Sequence, residues 1–354
     1  MFYPAIISSL SQLTEESVDI EILPTSGLTD VFNFQAGQYL TIRLPQLDKT
    51  AHRSYSLSSA PHESKLRIGI KRVDKGLVSD YLCRQSKAGD TLEIMTPQGN
   101  FVLPSHSEPL RLVVFASGSG ITPIMSMIKQ EFYRYNQSKV ILFYGNKNES
   151  SRMYNEELNS LAKSFPGQLE ILHVFSKQKG KSEELEGRID EHKLSRWKLN
   201  LFNIHDTDYF LLCGPGNMVS HLEEALKTYH IEPSRILTEY FSAPQPPPLQ
   251  AAEQPVYAPV SGHTIWIKFE NKTHQVVVKN NKQVVLDEGI KYGLDLPYSC
   301  KSGVCSTCQA RLISGEVRMD NNYVLGDSEL NQGFILTCQS HVLSPEISVD
   351  YDAR

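Results

Sequence analysis

Residues 300–308 read Cys300-Lys301-Ser302-Gly303-Val304-Cys305-Ser306-Thr307-Cys308, and a further cysteine, Cys338, follows after 29 intervening residues. Thiolates are soft, charged donors that hold iron well, and C-x4-C-x2-C with a distant fourth cysteine is a spacing that closes around a [2Fe–2S] cluster. The positions between the cysteines are small (Ser302, Gly303, Ser306 and Thr307), which lets backbone N–H groups approach the sulfurs and tune them. A structural zinc site or a pair of disulfides are the competing readings, although zinc sites more often show paired C-x2-C knuckles. Cys83 and Cys213 stand outside this run, and an isolated cysteine is most often a small buried hydrophobe.

Around this loop lies a chain of 354 residues, long enough for two or three domains with cores of their own. Its composition, 40% hydrophobic and 21% charged, is that of a folded globular protein, and a net charge of −5 without any long basic run argues against a nucleic-acid partner. No stretch approaches the roughly 18 uninterrupted apolar residues of a membrane span, and residues 1–10 lack a basic leader with an apolar core. The expected setting is therefore cytoplasmic. There, cysteines clustered at one end serve metal ligation better than disulfides.

Three patterns divide the chain. The first hundred residues alternate short β-rich runs with turn signals, at Ala5–Ile7, Val18–Leu23, Tyr39–Leu44, Tyr55–Ser58, Leu66–Val73 and Thr91–Met95, with a short helix expected at Leu77–Arg84. That pattern predicts an antiparallel barrel. From Pro109 apolar strands (Leu110–Ala116, Lys139–Tyr144, Leu169–Phe175, Tyr209–Cys213 and Ile236–Glu239) alternate with helices at Met125–Tyr135, Tyr154–Lys163 and Met218–Tyr229, which predicts a parallel, doubly wound α/β sheet. Residues 242–255, SAPQPPPLQAAEQP, are too proline-rich to pair regularly and read as a semi-rigid spacer. Beyond it, strands at Thr264–Phe269, His274–Val278 and Ile347–Val349 surround the cysteine loop in a small α+β domain. The expected domains are 1–105, 106–241 and 257–354, with 242–256 as linker.

Two further motifs carry chemistry. Arg53-Ser54-Tyr55-Ser56-Leu57 supplies a cation for a diphosphate, an aromatic ring for stacking and a hydroxyl for hydrogen bonding, and Gly76-Leu77-Val78-Ser79 opens a helix whose first N–H groups suit a phosphate. The bland alternative is a surface ion pair and an ordinary strand aromatic. Ala116-Ser117-Gly118-Ser119-Gly120-Ile121-Thr122-Pro123 is a glycine turn feeding a helix after an apolar strand, and Cys213-Gly214-Pro215-Gly216 is a second small-residue loop at another strand end, the edge where open α/β sheets bind nucleotides.

Residues 257–354 resemble a plant-type ferredoxin domain, and the remainder resembles the ferredoxin–NADP reductase superfamily. The resemblance implies that Cys300, Cys305, Cys308 and Cys338 ligate a [2Fe–2S] cluster. It also implies that Arg53, Ser54, Tyr55, Ser56, Gly76 and Ser79 hold a flavin, FAD rather than FMN, and that Gly118, Gly120, Thr122, Gly214 and Pro215 hold NADPH or NADH. Cys213 is implied beside the nicotinamide, Glu239 near the flavin, and an aromatic over the ring, Phe241 or its competitor Tyr240.

The implied activity is an NAD(P)H-dependent oxidoreductase, because nicotinamide yields two electrons as hydride whereas a [2Fe–2S] cluster takes one at a time and needs a flavin as converter. Its expected partner is a redox protein: an oxygenase, as in reductase components of the phenylacetyl-CoA epoxidase type, a desaturase, or another acceptor. A redox sensor without sustained turnover and a flavin oxidase acting directly on a small substrate are the alternatives. For the dinucleotide, Lys147, Ser150, Ser151 and Arg152 offer a 2′-phosphate site, opposed by Glu149.

Overall fold

In the computed structural model, which describes residues 1–25, 29–47, 51–245, 262–278 and 283–353, the chain begins with a strand much longer than its apolar content suggests. Strand β1 (Tyr3–Thr14) buries only Ala5 and Ile7, and its polar second half is held by pairing with β2 (Ser17–Pro24) down to Thr14 opposite Ser17. Strands β3 (Tyr39–Arg43), β4 (His52–Ser56) and β5 (Leu66–Lys71), helix α1 (Leu77–Arg84) and β6 (Thr91–Ile94) complete the region. The sheet order is β4-β3-β6-β1-β2-β5, and an antiparallel bridge from Leu57 to Ile68 joins its two edges. The antiparallel barrel expected from alternation is thus present, filled by Val18, Ile20, Leu40, Ile42, Ile68, Ile70 and Ile94.

Next come β7 (Arg111–Ser117), α2 (Ile121–Arg134), β8 (Lys139–Asn146), α3 (Asn155–Ser164), β9 (Leu169–Phe175), α4 (Glu191–Asn200), β10 (Tyr209–Gly214), α5 (Gly216–Thr228) and β11 (Ile236–Tyr240). The strands run parallel in the order β11-β10-β7-β8-β9, so both faces need cover and β7 is buried through five consecutive residues. Leu112, Val114 and Ala116 share a core with Ile124, Met125 and Ile128 of α2. On the alternate residues Phe115 and Phe143 stack, with Trp197 of α4 4.2 Å from Phe143. Helix α4 was not expected from sequence: EHKLSRWKLN has few apolar residues, and its start is fixed by Asp190, whose carboxylate accepts the Lys193 N–H. Helix α2 begins at Ile121, four residues before the expected Met125, directly from the glycine turn.

That turn is pressed against β10. A Cβ on Gly120 would lie 2.3 Å from the Cys213 carbonyl oxygen, a separation no side chain tolerates. Gly120→Ala is therefore expected to destabilise the protein by about 1–3 kcal/mol through overpacking. Thermal denaturation checks this, and a melting temperature equal to the parent's would mean that the turn can withdraw from β10.

Barrel and α/β layer are locked by polar side chains. Tyr154 donates to Asp19 at 2.6 Å, Arg67 pairs with Asp19 at 2.8 Å and with Glu157 at 3.3 Å, and Lys129 bridges Glu63 and Glu157 at 2.8 and 3.1 Å. Ser126 adds a hydrogen bond to the Ser59 carbonyl. Asp19 and Lys129 are buried, so their charges need these partners.

The chain divides into two compact units, one chiefly of residues 2–244 and one chiefly of 245–354. In the second, β12 (His263–Phe269), β13 (Lys272–Val278), α6 (Val285–Lys291), β14 (Gln309–Ser314), β15 (Val317–Met319), α7 (Asp327–Asn331), β16 (Phe334–Leu336), β17 (Ser340–Val342) and β18 (Glu346–Asp350) follow in turn. The main sheet has the order β13-β12-β18-β14-β16, with β12 and β18 parallel, and packs Val285 and Leu286 of α6 against Ile265, Ile267 and Ile347. The β12–β13 hairpin turns through Glu270 and Asn271, both left-handed, whose N–H groups are received by the Asp352 carboxylate. Of the expected spacer, residues 246–256 lie outside the described residues. Among the described residues no helix is long and apolar enough to cross a membrane.

Candidate functional site

The four clustered cysteines meet in the second unit. Cys305, Cys308 and Cys338 are buried and Cys300 half-buried, with the sulfurs of Cys300 and Cys305 3.1 Å apart. Cys338 arrives from a distant segment because Thr337 donates to the Cys308 carbonyl at 2.8 Å, is itself held by Tyr351, and the Gln339 amide donates to the Lys301 carbonyl. The Ser302 N–H points at the Cys300 sulfur at 3.4 Å. Hydrogen bonds from the Cys305 and Cys338 thiols hold Cys300 well below the usual thiol range, while those same bonds push Cys305 and Cys338 up. All four are free thiols, so the disulfide reading fails. An all-sulfur donor set, already receiving an N–H, fits an iron–sulfur cluster.

Strand β4 carries Arg53, Ser54, Tyr55 and Ser56 in succession. Arg53 is exposed and donates to the His52 carbonyl at 2.6 Å; Ser54 and Tyr55 are half-buried and Ser56 is buried. Helix α1 starts after Gly76 without a side-chain cap, leaving its first N–H groups to a ligand or water. Ser79 does not face outward: its hydroxyl accepts the Val73 N–H at 3.1 Å and lies 3.5 Å from the Gly76 carbonyl, so it shapes the loop before the helix.

Ser56, Cys213 and Glu239 converge although the sequence separates them widely. The Ser56 hydroxyl donates to Glu239 Oε2 at 3.2 Å, and the Cys213 thiol lies 3.6 Å from the same oxygen. Burial raises the Glu239 carboxyl to about 7, against the pull of its bonds from Cys213 and Ser56. Burial, then the adjacent carboxylate, pushes the Cys213 thiol well up, so it stays neutral. Residues alternate faces along an extended chain, which separates Tyr240 from its neighbours. Tyr240 is buried with its hydroxyl on Glu223 at 2.7 Å, whereas Phe241, at 38% exposure, lines the adjoining cavity.

That cavity, of about 730 Å³, runs along the C-terminal ends of the parallel strands. It is lined by Gly118, Gly214, Pro215 and Phe241 and also by Lys71, Asn146, Lys147, Ser176 and Arg188. Gly118 opens onto it: a Cβ there would meet nothing nearer than Lys71 Nζ at 3.7 Å. Neither α2 nor α5 has a side-chain cap; the Ile121 N–H returns to the Gly118 and Ser119 carbonyls and the Gly216 N–H goes to the Ser242 hydroxyl at 3.1 Å, and both helix starts lie beside the glycine loops, a setting that suits a pyrophosphate. Gly120 and Thr122 stand behind this wall, Gly120 against Cys213 and Thr122 buried with its hydroxyl on the Ser119 carbonyl at 2.9 Å. Of the residues read as a 2′-phosphate site, only Lys147 lines the cavity. Ser150 and Ser151 bond to Asn148, and Arg152 donates to the Glu149 carbonyl and lies over the Phe175 ring.

Comparison with known proteins matches three domains along the chain. An oxidoreductase FAD-binding domain matches residues 8–103, an oxidoreductase NAD-binding domain 114–224, and a 2Fe-2S iron-sulfur cluster binding domain 267–343. A component of the 1,2-phenylacetyl-CoA epoxidase of Escherichia coli is 30% identical over 354 residues, spanning 100% of this chain and 98% of its own. The chain belongs to this family of flavin and iron–sulfur reductases. The reductase is also 29% identical to the ferredoxin reductase component of 3-ketosteroid-9-alpha-monooxygenase from Rhodococcus rhodochrous, across 98% of this chain and 97% of that one. Its fold matches phthalate dioxygenase reductase with a TM-score of 0.57 at 20% identity, over 99% and 98% of the two chains. It is thus an oxidoreductase with FAD, a nicotinamide dinucleotide and a [2Fe–2S] cluster as its cofactors.

Proposed function

We propose that this reductase draws electrons from NAD(P)H at the cavity beside Cys213, Glu239 and Phe241 and hands them singly, through the Cys300–Cys305–Cys308–Cys338 centre, to a partner oxygenase. The observation that carries the reading is the meeting of Ser56 from the barrel with Cys213 and Glu239 from the α/β layer, beside the nucleotide cavity. FAD supplies the conversion of a two-electron hydride into single electrons. The chain's own residues do the rest. Gly118, Gly214, Pro215 and the N-termini of α2 and α5 seat the dinucleotide; the backbone around Gly120 and Thr122 sets the angle of that wall. Arg53, Ser54, Tyr55 and Ser56, with the uncapped start of α1 shaped by Gly76 and Ser79, seat the flavin. Glu239 holds a proton near neutrality, while its Oε2 accepts from Ser56 and Cys213. Phe241 shields the ring face and must give way to the nicotinamide.

On this reading the working domains are 1–105, 106–241 and 257–354, joined by 242–256, in a cytoplasmic setting that keeps the four thiols reduced. Desaturases and other one-electron acceptors suit the same output, and nucleic acid does not, given the net charge of −5. The test is an anaerobic visible spectrum of the holoprotein titrated with each dinucleotide, followed by identification of the released flavin. Bleaching of both flavin and cluster bands is expected. A flavin that bleaches while a loaded cluster stays oxidised would sink the relay and favour a sensor or oxidase.

A further inference from the structure

Resting on the ligand assignment proposed above, we infer that Gln339 is a positioning residue that raises the reduction potential of the [2Fe–2S] centre, its side-chain amide donating to the Cys338 sulfur.

The amide is placed by the turn that brings in Cys338. The Gln339 backbone N–H returns to the Leu336 carbonyl at 2.9 Å and the Ser340 hydroxyl to the same carbonyl at 2.8 Å, so the chain reverses directly after the cysteine. Gln339 is buried there, at 7% exposure, with its side chain folded back over its own neighbour. Its Nε2 lies 3.0 Å from the Cys338 carbonyl oxygen, 3.0 Å from the Lys301 carbonyl oxygen and 3.6 Å from Cys338 Sγ.

Which end of the amide faces the sulfur follows from chemistry. Backbone carbonyls only accept, so two of them on one side require the nitrogen there. The amide oxygen faces Asn321, whose Nδ2 donates to it at 3.0 Å, and Asn321 Oδ1 in turn accepts from the Tyr323 hydroxyl at 3.3 Å. Asn321 is pinned to the cysteine loop: a Cβ on Gly303 would lie 2.8 Å from its carbonyl oxygen, and the Tyr323 N–H donates to the Gly303 carbonyl at 3.0 Å. Reversing the Gln339 amide would set its oxygen against two carbonyl oxygens and its nitrogen against the Asn321 donor.

Two N–H bonds facing three acceptors leave one N–H shared between a carbonyl and the sulfur. That sharing makes the contact responsive. A ligand sulfur gains negative charge when its cluster takes an electron, and hydrogen bonds strengthen with the charge of the acceptor, so the donor favours the reduced form. The Ser302 N–H at Cys300 acts in the same sense but belongs to the backbone. Gln339 acts through its side chain, so its share of the potential is open to substitution.

The experiment measures the cluster midpoint of the holoprotein by anaerobic redox titration, followed through the electron paramagnetic resonance of the reduced cluster, with iron content and the flavin midpoint measured alongside. Gln339→Leu keeps the volume and removes the donor. It should shift the reduction equilibrium of the cluster towards the oxidised form by about three- to tenfold, roughly 28–59 mV at 59 mV per tenfold for one electron, and leave the flavin midpoint where it is. Asn321 is exposed, so Asn321→Ala should fold; it loosens the amide and should shift the equilibrium the same way by less. The parent's midpoint in both variants overturns the inference, as does loss of iron from both, which would make the amide an assembly contact. If Gln339→Leu lowers the midpoint but NAD(P)H reduces no cluster even in the parent, the inference stands and the proposed function fails.

Discussion

Replacing Cys308 by Ser is expected to remove the iron–sulfur absorbance and cut delivery of electrons to a one-electron protein acceptor by more than about a hundredfold, while reduction of ferricyanide by NAD(P)H persists. Cys308 is 1% exposed, and its segment is tied to that of Cys338 through Thr337. A hydroxyl there is a harder, far less acidic donor than a thiolate and leaves the iron one ligand short. A cysteine outside the loop serves as contrast. Cys83 is half-buried, its thiol pushed up to about 11 by burial and its sulfur 3.6 Å from the Ile70 carbonyl, so Cys83→Ser should leave the cluster bands as they are. If Cys308→Ser kept those bands and the full rate, the ligand assignment would be overturned.

Glu239→Ala should lower the steady-state rate with either dinucleotide by about a hundredfold, the usual weight of a placed proton carrier. It deletes the group to which both Ser56 and Cys213 turn. Glu239→Gln separates proton holding from positioning. The parent's pH–rate profile should break near 7, where burial places this carboxyl, and the break should vanish in the glutamine variant. Stability should follow the same group. Between about 4.5 and 7 the folded protein keeps a proton on Glu239 that the unfolded chain has released, so this residue's contribution declines as pH rises through that window. The melting temperature of Glu239→Gln should accordingly lose less between pH 5 and 7.5 than the parent's. Parallel curves would mean that Glu239 titrates in the ordinary range.

What could be read from sequence was what is local. The cysteine spacing, the glycine turn at 116–123 and the loop at 213–216 are contiguous, and each keeps its meaning wherever the chain runs. Element type followed for the same reason, from alternation in the barrel and from buried runs in the α/β layer. The extent of β1 was hidden because pairing, not burial, holds its polar half. Ser79 and Thr122 carry residue types that suit a ligand, but their hydroxyls turn to local backbone, a choice made by loop geometry. Tyr240 and Phe241 could be told apart only once β11 fixed which residue faces α5. Lys71, Asn146 and Arg188 come from three separated segments, and only the strand order sets them along one wall.

The ion-paired seam between barrel and α/β layer bears on timing. With Asp19, Arg67, Glu157, Lys129 and Glu63 interlinked and Tyr154 and Ser126 fastened across the same boundary, the two halves of the hydride site are assembled before any cofactor arrives. Opening that boundary as a hinge would strand buried charges, a cost that makes microsecond-to-millisecond domain closure a poor gate. On the function proposed above, the gate falls instead to one side chain, Phe241, a partly exposed ring of the kind that reorients on the nanosecond scale. Hydride delivery in this reductase should therefore be nearly indifferent to solvent viscosity.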